Sequence, residues 1–290
     1  MKIRKAVIPA AGLGTRMLPA SKSVPKEMLP IVDKPAIQYI IEEAVTSGIE
    51  DILVITNRGK SAIEDHFDYA PDLELSLKSS EKSLEFDSVR YTAELANIYY
   101  VRQKDTKGLG HAVWCARRFI GNQPFAVLLG DDIMVGDPPV TKQLIDAANK
   151  YDATVVGAQS VNIDDISKYC SLKVSELENN IYRVSDLIEK PSPDKVFSNF
   201  AILGRYVLMP EIFTALENTS PGYGGEIQLT DGLALLCKSD PIVAVDFDGR
   251  RYDTGNLPGF LEATIDFALK DPNVGAWFRE FIKERVKEDF

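Results

Sequence analysis

Residues 6–30 read AVIPAAGLGTRMLPASKSVPKEMLP. The run from Ala6 to Pro9 is apolar and ends in turn residues, so it reads as a buried strand entering a loop. Gly12 and Gly14 let the backbone approach a ligand closely, and amides exposed in such a turn form a nest for phosphate oxygens. Two familiar phosphate loops do not fit. A dinucleotide fingerprint, G-x-G-x-x-G, counted from Gly12 finds Met17 where its third glycine belongs, and the chain supplies no P-loop, G-x-x-x-x-G-K-[ST]. What remains is G-x-G-T-R followed by a proline-bearing stretch to Lys26. That spacing suggests a stiffened loop that brings Arg16 and Lys26 back over an anion.

Outward from this loop, strand-like runs (KAVIPA, DILVITN, IYYVRQ, FAVLLGDD) alternate with helical patterns near residues 36–47, 60–67 and 109–119. Such alternation implies an α/β fold, Rossmann-like, with a mixed, mostly parallel central sheet, helices on both faces and ligands at the carboxyl ends of its strands. Beyond Tyr151 the texture changes to a mixed β region (ATVVGAQSV, SLKVSEL, IYRVSDLIEKP, FAILGRYVLMP), with helices expected at 211–218 and 226–238. Residues 69–96 read as a polar, helical, solvated insertion. Residues 260–270 and 274–289 read as amphipathic helices, whose Trp277, Phe278 and Phe281 suit either ordinary packing or an oligomer contact.

The 290 residues are 45% hydrophobic and 26% charged, with a net charge of -10. Acidity of this size argues against nucleic-acid or anionic-membrane partners, so any bound phosphate needs a local cluster of Lys and Arg. Cys115, Cys170 and Cys237 are far apart, with no C-x-x-C and no zinc spacing. They read as buried thiols, and a cytoplasmic location is expected. No stretch nears the length of a membrane span. With two histidines (His66, His111) and no G-x-S-x-G elbow, histidine-based and serine nucleophilic catalysis are disfavoured.

Three further constellations carry chemistry. Gly130-Asp131-Asp132 puts two carboxylates at the end of an apolar strand, which suits Mg²⁺ as well as it suits a turn. Asp253, in RRYDTGN, fits either a further metal ligand or a helix cap. Glu189-Lys190 could hold sugar hydroxyls and a phosphate or be a surface charge pair. Gln103 with Gly108, in VRQKDTKGLG, supplies an amide and a backbone suited to a base edge. Glycine loops, cations and carboxylates without a nucleophile are the kit for moving phosphoryl groups between bound substrates.

The stretches AAGLGTRMLPASKSVPKEMLP, DKPAIQYIIEEA, IEDHFD, VRQKDTKGLGHAVWCA, FAVLLGDD, EKP, NFAILGRYVL, GGEIQLTDG and RYDTGN together resemble the sugar-1-phosphate nucleotidyltransferases over nearly the whole chain. KGLGHAV and GEIQLTD resemble the bacterial branch that joins UTP to glucose 1-phosphate. The resemblance implies a single nucleotidyltransferase domain over 1–290, with a nucleotide-binding half at 1–150, a smaller sugar-binding half at 151–255 and C-terminal helices at 256–290. It implies Mg²⁺-dependent uridylyl transfer from UTP to glucose 1-phosphate by in-line attack on the α-phosphorus, giving UDP-glucose and pyrophosphate.

By the same resemblance, Ala11, Gly12, Glu27, Gln103 and Gly108 would hold uracil and ribose, and Gly14, Thr15, Arg16 and Lys26 the phosphates. Asp131 would bind Mg²⁺ with Asp132 beside it and Asp253 as second metal ligand. Glu189 would contact glucose hydroxyls, Lys190 the sugar phosphate, and Asn199 would lie near the sugar. A homodimer or homotetramer is implied. The chain departs from the family's pattern at Tyr169-Cys170, where Tyr-Gly is usual beside the sugar, at Leu257, where lysine is common, and at Ser21, which keeps the hydroxyl of the usual threonine. The same residues also fit another nucleotide or sugar 1-phosphate, or a non-catalytic regulatory relative.

Overall fold

The strand Lys5–Pro9 that opens the glycine loop is hydrogen-bonded on both sides, to Asp51–Thr56 and to Phe125–Leu128, both parallel to it. Its residues alternate between the two faces of the sheet. Ala6 and Ile8 join a cluster with Ile37, Ile40 and Ile41 of the helix Ala36–Thr46, and Val7 joins another with Val113 and Phe125. All of these side chains are fully buried. A central strand covered by helices on both faces is therefore apolar at every position, which is why its sequence shows a continuous run.

The computed structural model describes residues 2–289, and among them the main sheet has nine strands. In spatial order these are Asn97–Arg102, Asp51–Thr56, Lys5–Pro9, Phe125–Leu128, Phe200–Leu208, Thr154–Ser160, Ile242–Asp246, Ile181–Glu189 and Cys170–Glu178. Phe200–Leu208 and Ile181–Glu189 run against the other seven, so the sheet is mixed and mostly parallel as expected. At its far end Cys170–Glu178 pairs back to Phe200–Leu208 through Ser171 and Ala201, which curls the second half into a partly closed β region. Both halves of the chain thus share one sheet.

A separate two-stranded ribbon, Asp132–Val135 with Arg250–Asp253, places Asp132 directly opposite Asp253. That register brings together acidic residues far apart in sequence. The helix expected at 109–119 is two, Leu109–Cys115 and Arg117–Ile120, and the polar stretch at 69–96 forms the helices Pro71–Ser79 and Ser83–Ala93, which are mostly exposed. The chain ends in helices Leu257–Lys270 and Gly275–Asp289. Among the described residues no helix is long and apolar enough to cross a membrane.

Candidate active site

Four parallel strands deliver their carboxyl ends to one edge of the sheet, and the loops that follow three of them, Lys5–Pro9, Asn97–Arg102 and Phe125–Leu128, line a cleft of about 510 Å³. Ala11, Gly12, Thr15, Arg16, Lys26, Glu27, Gln103, Gly108 and Asp131 all reach it. Gly14 stands just behind its wall with φ +69°, and an added Cβ would press against the Ser21 side chain. Glycine is required there on both counts. The Ser21 hydroxyl donates to the Gly14 carbonyl at 2.7 Å, and the Met17 amide to the same oxygen at 2.9 Å, closing the turn Thr15–Met17. Met17 is buried, so the position a dinucleotide loop gives to glycine anchors this loop by packing instead.

Arg16 and Lys26 face the acidic end of the neighbouring strand. The Lys26 ammonium donates to Asp131 Oδ2, and Arg16 lies 3.7 Å from Asp131 and 4.0 Å from Asp253. Burial pushes the Lys26 pKa down, but the Asp131 carboxylate more than offsets this and holds it above the usual lysine value. Burial likewise pushes Asp131 up, and Lys26 with Arg16 overcomes it and holds the carboxyl below the usual range. Both groups are charged at neutral pH. Thr254 secures the Asp131 carbonyl twice, through its amide at 2.8 Å and its hydroxyl at 2.9 Å.

Asp132 does not reach this cleft. Asp131 lies in a turn and Asp132 begins the strand Asp132–Val135, where it turns inward and Arg251 holds it at 2.8 Å and 2.7 Å. It is buried against Gly204, where any Cβ would collide with its carboxylate. Asp132, expected among the nucleotide-binding residues, is engaged by Arg251 and does not line the cleft. Burial pushes its pKa up to about 6, with Arg251 pulling against the shift and the Asp131 and Asp253 carboxylates adding to it.

Glu27 lines the cleft, but both its carboxylate oxygens accept from the buried Lys60 Nζ, at 2.9 Å and 2.8 Å. Its charge is already engaged within the protein. On the far wall, Gly108 has φ +100°, and a Cβ would collide with Glu226 and the Ile227 carbonyl. The Ile227 amide donates to the Lys107 carbonyl at 2.7 Å and the Gly110 amide to the Ile227 carbonyl at 2.8 Å, so GEIQLTD stitches the KGLG turn in place. Gln103, fixed by its amide to Thr56 at the end of the next strand, presents its side chain between them.

The sugar-side candidates form a second group, outside that cleft. Glu189 accepts from the Thr230 hydroxyl at 2.8 Å and lies 3.8 Å from Lys190 Nζ; burial raises its pKa. Lys190 adopts the left-handed region, φ +44°, donates its amide to the Tyr169 carbonyl at 2.9 Å and holds its ammonium over the Tyr223 ring. Arg251 links the groups, 3.6 Å from Asp253 and 3.4 Å from the Tyr169 hydroxyl. Cys170 is buried, with its thiol against Thr230 and near Glu189; burial, with Glu189 adding to it, pushes the thiol pKa up, and the departure from Tyr-Gly places no exposed side chain there. Asn199 is exposed and gives its amide to the Val161 carbonyl at 3.1 Å. Leu257 is exposed at the start of its helix.

Sequence reasoning missed Lys60, Arg251, Thr230 and Thr254. RYDTGN and GEIQLTD carried signals for the last three as motif members without showing their partners. Lys60, after the turn at Asn57–Gly59, carried none.

A family model described as nucleotidyl transferase matches residues 5–269. A Staphylococcus saprophyticus relative named UTP–glucose-1-phosphate uridylyltransferase 1 is 54% identical over 286 residues, 98% of this chain and 99% of the relative. A Bacillus subtilis relative named UTP–glucose-1-phosphate uridylyltransferase is 53% identical over 270 residues, 93% and 92% of the two chains. Among solved structures, UDP-glucose pyrophosphorylase complexed with UDP-glucose is similar at a TM-score of 0.85 and 42% identity, covering 93% of this chain and 100% of that one. UTP-bound UGPase from Acinetobacter baumannii is similar at 0.89 and 37% identity, covering 98% and 99%. With a family match over most of its length and relatives above half identity over nearly all of it, the chain belongs to the nucleotidyl transferase family.

Proposed function

We propose that this chain transfers the uridylyl group of UTP to glucose 1-phosphate, giving UDP-glucose and pyrophosphate. The observation that carries the reading is the convergence, in one cleft, of a glycine loop, two cations clamped on Asp131 and a buried amide at the opposite wall. The names of its relatives agree with it. A phosphate oxygen of glucose 1-phosphate forms a bond to the α-phosphorus of UTP as the bond to the bridging oxygen of the β-phosphate breaks, and the electron pair leaves on pyrophosphate. Both reactants are anions, so the protein's work is positioning and charge cancellation.

The backbone amides around Gly12, Gly14 and Thr15 cradle the phosphates, with Arg16 and Lys26 over them. On entry, phosphate oxygens take over Lys26 from Asp131. Gln103 and Gly108 meet the uracil, Glu189 meets glucose hydroxyls, and Lys190 meets the phosphate of the sugar. Asp131 and Asp253 would hold Mg²⁺. The donor set suits that ion, which needs only one or two protein carboxylates and completes its shell with water and phosphate. Both carboxylates face one guanidinium, and Gly255 leaves open the space beside Asp131 that a Cβ would fill. When bound, Mg²⁺ neutralises charge on the triphosphate and the leaving group.

Three free cysteines support a cytoplasmic setting. Exposed Trp277, Phe281 and Leu261 on the two C-terminal helices support self-association as a dimer or tetramer, which light scattering would reveal. The function is tested by mass spectrometry of the products from UTP, glucose 1-phosphate and Mg²⁺. UDP-glucose and pyrophosphate in equal amounts are expected; product only with dTTP or another sugar 1-phosphate would overturn the substrate assignment.

A further inference from the structure

We infer that His111 is a positioning residue for base selection, locking the Gln103 amide so that Gln103 offers the nucleobase only its oxygen. The inference rests on the uridylyl-transfer reading above and deepens it. Gln103 Nε2 lies 3.1 Å from the Gly108 carbonyl oxygen and 2.9 Å from His111 Nδ1. A carbonyl oxygen only accepts, so the amide atom facing Gly108 must be the nitrogen, and the amide's orientation is decided. Its second hydrogen then points to His111 Nδ1. That nitrogen must carry a lone pair, which places the imidazole proton on Nε2. Both donors of the amide are used within the protein, and among the described residues nothing donates to Gln103 Oε1.

The ring is kept in this state by its surroundings. Burial and then Lys107 pull the His111 pKa below its usual value, Asp105 pulls the other way, and Arg117 adds to the lowering. The imidazole stacks on Trp114, ring centroids 5.9 Å apart, and the indole N–H donates to Glu217 at 3.1 Å.

An acceptor without a donor matches uracil, whose N3 carries hydrogen. Cytosine presents a lone pair at N3, which would face Oε1 across a buried wall where the repulsion is poorly screened. An amide released from His111 could turn over and offer its NH₂ group to cytosine. His111 thereby sets the preference for UTP over CTP without touching either.

The test is kcat/KM for UTP and for CTP, each with glucose 1-phosphate and Mg²⁺, in wild type, His111→Ala, His111→Phe and His111→Asn. His111→Phe keeps a ring to stack on Trp114 but has no acceptor, and serves if the alanine variant folds poorly. The UTP:CTP ratio is expected to fall about tenfold in the Ala and Phe variants, the size of one lost hydrogen bond. His111→Asn, whose Oδ1 can accept where Nδ1 did, is expected to restore most of the ratio. A ratio held within about twofold of wild type while UTP turnover falls would mean His111 is only structural, and would overturn the inference. So would failure of asparagine to restore it. A wild type that does not use UTP with glucose 1-phosphate would instead overturn the parent reading, an outcome visible before any variant is made.

Discussion

In the cleft, beside the glycine loop, Arg16 and Lys26 both face Asp131; outside it, at the sugar-side end, Lys190 has Glu189 3.8 Å away and a tyrosine ring beneath its ammonium. The first end is braced from behind. Arg205, fully buried, bonds Glu43 at 2.6 Å and the Asp132 carbonyl at 2.8 Å, tying the helix Ala36–Thr46 to the acidic turn. The second end is held by one hydroxyl, Thr230, and by a backbone that places Lys190 in the left-handed region, at a cost of about 1 kcal/mol for a residue other than glycine. The difference teaches a division of labour. Under the proposed reaction, the preorganised charges beside the glycine loop would act on the transition state, and the lightly supported lysine and carboxylate on recognition of the sugar phosphate.

The comparison breaks first, and most severely, behind the glycine-loop end. Arg205→Met leaves Glu43 buried without its cationic partner, with only the Thr141 amide and hydroxyl still donating to it, and is expected to cost about 3–5 kcal/mol of folding stability; urea denaturation reads it. A loss under about 1 kcal/mol would show that the brace is not needed. Asp131→Ala removes the shared partner of Arg16 and Lys26 and the proposed metal ligand, so Mg²⁺-dependent pyrophosphate release should fall on the order of 10³-fold. Near-normal release would remove Asp131 from the mechanism. Lys190→Ala should raise KM for glucose 1-phosphate about 10- to 100-fold, the value of a charge-assisted contact, with kcat nearly kept. Steady-state kinetics with the sugar phosphate varied decide this, and an equal loss in kcat would erase the division. The smallest effect is expected for Thr230→Val, which takes a 2.8 Å hydrogen bond from Glu189. A rise of about fivefold in the same KM would sharpen the picture, and an unchanged KM would mean that Glu189 needs no such support.

Much of this was legible in the chain itself, because strand runs and glycine positions are local signals. The run at 6–9 and the G-x-G-T-R loop pointed to the sheet edge where the cleft lies, since a buried central strand must be apolar at every position and the turn needs glycine at the positive φ of Gly14. Directions of side chains were not legible. Asp131 and Asp132 are adjacent and chemically identical, yet one faces the cleft and the other Arg251, a choice set by the ribbon's register with Arg250–Asp253. Cys170, the departure from the family's Tyr-Gly, is buried, with its thiol against Thr230, a placement its position in the chain does not display. Lys60 was invisible because its pairing with Glu27 spans two elements and depends on burial, which a single sequence does not display.

The most direct measurement is two-substrate kinetics of pyrophosphate release in Lys26→Ala beside Lys190→Ala. The account predicts that Lys26→Ala lowers kcat on the order of 10²-fold with little change in KM for glucose 1-phosphate, while Lys190→Ala does the reverse. If both variants lose kcat alike with KM for glucose 1-phosphate unchanged, the two ends do not divide the work, and the central claim is contradicted.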